Sequence, residues 1–451
     1  MGSICFDFLI NSFLFNENEI VKQYKDHSDD NLQHELTRYR NFILSKRTDL
    51  VNDILAKKSS LKVFSTVEKI PEVTLKQSAL YIDQFVIDDP LFKLGRQRNA
   101  QSNTMEEYLG YQKNSLDRKS LTSIIRLLKS ITPMVAANYV KLLPVSFAFE
   151  PQKNTPIYFS ENYFEDQLPP NISKFCKENA IIKSMTEAKG SGWSVLQEND
   201  LTPGLFIGFG DDWMKNGMMY HYFEQEFFPT EDPTIFHAAM KLAEYPMQED
   251  VWAVWAKQSV NRTAINLVDK TMREIAIATS LQSTFFTDMA FTGELINQSI
   301  ETTVTPSTIT TEHILNIKVP FIDKVDIQKL MDVRENEQET FTNFRMELEK
   351  EFRELRFVTD EKELKERQQN IMHELGVVGV NKINTKLGSL RKKSILDGLI
   401  VIGGLAGGVA SGGWSLLATA VSAASGYKSY VEYKQALNEN PSYLLWKVLK
   451  K

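Results

Sequence analysis

Residues 398–427 contain eight glycines and no charged side chain, in a chain that is 24% charged overall. A run of at least 18 uncharged, mostly apolar residues is long enough to be a candidate membrane span. Within it Gly404, Gly408 and Gly412 recur every four residues, and Gly403 and Gly407 repeat the step one position earlier. On a helix this spacing forms a smooth ridge against which a second backbone can pack closely, as in transmembrane helix pairs. In water the same segment is a poor helix, because each interior glycine costs about 1 kcal/mol relative to alanine. Lipid or tight burial must compensate.

The flanks favour lipid. Arg391, Lys392 and Lys393 precede the window, Trp414 lies inside it, and the end of the chain carries Tyr443, Trp446, Lys447, Lys450 and Lys451. This is the aromatic and basic mixture of an interfacial anchor. From Leu375 onward ten Lys or Arg stand against three acids, so this tail is +7 and residues 1–374 are -13. The asymmetry predicts an anionic membrane surface as partner. Nucleic acid is disfavoured, since the cations flank an uncharged stretch and do not interleave with aromatics. Burial is the competing expectation. Gly412 and Gly413 divide the window into two arms of 14 residues, each about 21 Å long as helix against a hydrocarbon core of about 30 Å.

With 451 residues, 42% of them hydrophobic, the chain can bury a substantial core in two or three domains. Cys5 and Cys176 are too few for a disulfide framework or a cysteine zinc site, which fits a reducing, cytoplasmic setting with membrane association through the C-terminus. The first 15 residues lack a basic region and carry Asp7 within their apolar run, which makes a poor secretory signal. Phe6 stands where a myristoylation motif needs Ser or Thr, so a plain first helix or strand is expected.

Periodicity divides the chain into a helical region with short strands (1–149), a mixed α/β, aromatic-rich region (150–250), a helical region (251–374) and the basic tail (375–451). Leu32, Leu36, Tyr39 and Ile43 mark an amphipathic helix, with a break near residues 27–30. Residues 80–87 read as a strand ending at a solvated Asp88-Asp89-Pro90 turn, and residues 204–210 and 218–223 read as further strands. Helical pattern runs, with interruptions, from residue 249 to about 300. Phe341, Phe344, Leu348, Phe352 and Leu355 step along one helix face, which predicts a partner helix in the same chain or in a second copy. The expected fold is mainly helical, with a small mixed α/β region in the middle and a C-terminal glycine-rich hairpin or membrane span.

No motif names a reaction, and the expectation is that catalytic, cofactor and metal sites are absent. Phosphate-loop spacing, His-Glu-x-x-His and Gly-x-Ser-x-Gly are missing from the sequence. Asp83, Asp88 and Asp89 form a conceivable set of oxygen ligands for Mg²⁺, against the plainer reading of a turn. His221 and Glu224 differ by an odd number, so on one strand they face opposite ways. Lysines beside Cys176 would lower its pKa, against the default of an inert, semi-buried thiol. Three functions remain in play. In the first, a non-enzymatic effector, the acidic body controls entry of the glycine-rich segment into a membrane, as in toxin or defence systems. The alternative is a soluble enzyme with an acidic, metal-dependent site, its apolar tail being buried core or a dimer element. The third is a structural assembly protein that forms homo-oligomers through the Phe341 to Leu355 stripe. Convergence of the acidic side chains in one place would favour the second.

Overall fold

The computed structural model describes residues 4–56, 61–67, 70–79, 82–95, 116–145, 167–188, 192–195, 200–232, 236–299, 326–336 and 415–417, with isolated positions between 339 and 370. It begins with four helices, α1 (Ile4–Leu9), α2 (Glu17–Val21), α3 (Asp29–Ser45) and α4 (Arg47–Ala56). The expected break before α3 falls at Ser28, whose hydroxyl accepts from the Asn31 N–H and caps the helix. Leu32, Leu36, Tyr39 and Ile43 are buried along one face of α3, as their spacing predicts.

A βα alternation follows: β1 (Lys62–Ser65), α5 (Glu72–Ser78), β2 (Gln84–Asp88), α6 (Pro90–Leu94), α7 (Arg118–Ser130), α8 (Thr132–Ala136) and β3 (Val140–Leu143). Next come α9 (Pro170–Glu178), β4 (Ala180–Ala188), β5 (Gly192–Val195), β6 (Gly204–Phe209), α10 (Trp213–Asn216) and β7 (Met218–His221). The strands β8 (Phe223–Pro229) and β9 (Phe236–Leu242) form a separate hairpin. The long helix α11 (Glu249–Ser280) leads to β10 (Thr284–Thr287), α12 (Ala290–Ser299), α13 (Ile327–Asn336) and β11 (Ser415–Leu417).

The main sheet has the order β11-β10-β1-β2-β3, and its four strands β10, β1, β2 and β3 are parallel. Both faces are covered. Val63, Phe85, Ile87, Val140, Leu142 and Phe286 join the core shared with α1, α3 and α5 to α8, and with α13 through Leu330 and Met331. Phe64, Val86, Leu143 and Phe285 point the other way, onto Val51 and Ile54 of α4, Ile277 and Ala278 of α11, and Ile296 of α12. This makes a three-layer α/β/α body, the arrangement that parallel strands require because their crossovers place helices on both faces. The antiparallel sheet β5-β4-β6-β7 packs on α9 and α11 around a second core that includes Leu205, Ile207, Phe209, Val260 and Ala264.

Among the described residues helix outweighs strand, yet the description "mainly helical with a small mixed region" misses the parallel sheet. β10 supplies one of the interruptions expected in the helical run from 249 to about 300. Among the described residues no helix is long and apolar enough to cross a membrane. In the tail the structure describes only Ser415–Leu417. Arg391, Lys392, Lys393, Gly403, Gly404, Gly407, Gly408, Gly412, Trp414 and Trp446 lie outside the described residues, as do Phe341, Phe344, Leu348, Phe352 and Leu355. Thr342, Met346 and Lys350, between those last five, are helical.

Candidate functional site

At their carboxyl ends three adjacent parallel strands bring polar residues to one level on one face. Ser65 pairs with Ile87 and with Phe286, so one step further along Thr66, Asp88 and Thr287 stand side by side, on the face that meets α11. Glu274 of α11 lies over this row, and the Thr66 hydroxyl donates to Glu274 Oε1 at 2.8 Å. Asp88 accepts from the Val145 N–H at 2.9 Å and pairs with Lys93 at 2.8 Å. Both carboxyls are buried, with 8% of Asp88 and 3% of Glu274 exposed. The backbone crosses from β1 to β2 on one side, while β10 arrives on the other side by way of α11. The carboxyl ends of β1 and β10 therefore flank a topological switch point, the place where open α/β sheets bind ligands.

Electrostatics set the state of the two acids. Burial raises the Asp88 pKa above its ordinary value, and Lys93 and the Val145 N–H only partly offset this. Burial also raises Glu274, opposed by Lys270 and the Thr66 hydroxyl and reinforced by the charge of Asp88. Burial thus shifts each carboxyl toward its protonated form, a property of general acids and also of enclosed structural carboxyls.

The acids singled out in the sequence do not converge. Asp83 sits at the opposite end of β2, where its carboxylate accepts from the Leu61 N–H at 3.2 Å. Asp88 and Asp89 are consecutive and face opposite sides of the sheet. Asp89, fully buried, caps α6 by accepting from the Leu91 and Phe92 N–H groups at 3.0 Å, and the Tyr39 hydroxyl donates to it at 2.5 Å. The expected solvated turn is therefore corrected: the strand feeds straight into a helix with Pro90 in its first turn, and both aspartates are enclosed. Among the described residues no group of three His, Cys, Asp or Glu is placed to hold a metal ion.

The other candidates settle in plain roles. His221 ends β7, where burial lowers its pKa, while Glu224 is an exposed residue of the β8–β9 hairpin opposite Lys241. The Cys176 thiol is buried and pushed up to about 12, opposite in direction to activation by lysines. The glycine-bearing segment 204–210 is β6, closed by Gly210 at φ +60, and is not a phosphate loop.

Sequence reasoning missed Glu274, Thr66, Lys93 and Thr287. One signal was available. Glu274 occupies a position of the buried stripe of α11, between Leu267 and Thr271 on one side and Ile277 and Ala278 on the other, where an acid is out of place. Comparison of the chain with protein-family models, with curated proteins and with solved structures finds no match.

Proposed function

We propose that this chain is a non-enzymatic effector whose α/β body holds and releases a C-terminal glycine-rich segment that docks on, or inserts into, anionic membranes. The observation that supports this is β11. Ser415–Leu417 come from inside the uncharged window and pair antiparallel with β10, at the edge of the main sheet, with Thr287 opposite Ser415. A three-residue strand makes few ladder bonds, each worth about 0.5–1.5 kcal/mol net, so its release is within reach of a binding event or of lipid partitioning. The charge asymmetry and the basic aromatic flanks supply the attraction to an anionic surface.

The test uses the register. A Thr287→Cys, Ser415→Cys double variant places two cysteines on directly opposed residues, so that oxidation ties the strand to β10. Full-length protein is expected to float with phosphatidylserine vesicles, the oxidised variant to lose that binding, and reductant to restore it. A chain ending at Leu387 should stay in the soluble fraction. Vesicle binding that ignores the crosslink would overturn the proposed control, and full-length protein that never binds vesicles would overturn the membrane role.

A second reading, a soluble enzyme, is supported by the Asp88 and Glu274 pair at the switch point. It rests on acid–base chemistry at those two carboxyls, since Asp83 and Asp89 are directed elsewhere. Asp88→Asn and Glu274→Gln would each abolish such an activity while leaving vesicle binding unchanged.

A further inference from the structure

Gln84 opens β2 at the amino edge of the main sheet, on the face that meets α4 and α11. It is fully buried, and neither its amide nitrogen nor its amide oxygen has a hydrogen-bond partner among the described residues. Buried amides in folded proteins are almost always bonded, because an unpaired one costs its full desolvation. Lys62 stands beside Gln84 in register on β1, and Lys141 is on the same face of β3. Both lysines are almost fully buried. Lys62 donates to the Ile54 carbonyl near the end of α4 at 2.9 Å, while Lys141 pairs with Asp53 and with Asn138 Oδ1.

These surroundings select the occupant. A cation meets two ammonium groups and cannot accept from the Gln84 N–H groups. An anion cannot donate to the Gln84 oxygen and faces the carbonyl end of α4, the negative end of the helix dipole. Water both donates and accepts, and buried waters bridge groups of this kind. We propose that Gln84 anchors an internal water site between β1, β2 and α4, which joins its amide to the Lys62 side.

A high-resolution crystal structure of the full chain tests this directly. Ordered water within hydrogen-bond distance of both amide atoms is the expected result, and an amide packed against carbon alone, or paired with the chain itself, would overturn the proposal. Thermal unfolding of Gln84→Met reads the same site independently of crystals. If the amide is hydrated, losing it leaves Tm within about 2 °C of the wild type or lowers it. A rise of several degrees means that methionine relieved a dry, unpaired amide, and the water site is then refuted.

Discussion

Asp89 sets two opposing effects against each other in a single carboxyl. A carboxylate that caps a helix and accepts from a tyrosine ordinarily has its pKa lowered, because three donors favour the charged form. Here complete burial outweighs them, and the pKa is raised from 3.8 to about 6. At 1.36 kcal/mol per pH unit, that gap corresponds to a cost of about 3 kcal/mol for carrying the charge in the folded state. The sign of the pH dependence follows. Below the unfolded value Asp89 is protonated in both states and the cost is absent. Between about pH 4 and pH 6 the unfolded chain ionises first and stability falls, and above about 6 the loss is complete.

Asp89→Asn preserves the capping oxygen and removes the charge. Whatever constant offset the substitution brings, its stability relative to wild type should improve by about 3 kcal/mol between pH 4 and pH 8. Urea unfolding of both proteins across that range, followed by far-UV circular dichroism, measures the difference. A flat difference would mean that the three donors balance burial. A difference that worsens with pH would mean that they win, and the argument from burial would then be wrong.

What the sequence revealed depended on whether a segment keeps one face wet. α3 was readable because Leu32, Leu36, Tyr39 and Ile43 alternate with charged residues at helical spacing, and its start was readable from the break at Ser28. The parallel strands were hidden for the opposite reason. Val63 and Phe64 are both fully buried, as are Phe85 and Val86, so these strands show no two-residue alternation. β10 is harder still, with four residues between two helical runs and both Phe285 and Phe286 enclosed. The site suffers from distance as well. Thr66 and Glu274 lie 208 residues apart, and Asp88 joins them only once three strands have taken register. A pair of aspartates before a proline looks like a solvated turn unless one knows that a helix begins there.

Four further outcomes follow from the same geometry. Gly208→Ala should destabilise the chain by about 1–3 kcal/mol in urea unfolding, because a Cβ there would come within 2.1 Å of the Trp213 carbonyl oxygen, which is backbone and has little room to move. Asn216→Ala should cost about 2–3 kcal/mol by the same measurement, since the Asn216 amide bonds both the N–H and the carbonyl of Phe209 at 2.8 Å and its loss leaves two buried groups unpaired. Gly408→Leu should spare vesicle binding if the ridge meets lipid, where leucine is welcome. A loss of thermal stability without vesicle binding would place the ridge in a packed core. Lys93→Met tests the site itself. It removes the cation that partly offsets the burial of Asp88 and so raises that pKa further. The cost should be on the order of 1–3 kcal/mol at pH 8, below that of a fully enclosed pair because Lys93 is partly exposed. It should vanish below about pH 4, where Asp88 is protonated in both the folded and unfolded states. A cost that persists unchanged at low pH would show that Lys93 matters through packing of its stem, and that Asp88 is not held in place by charge.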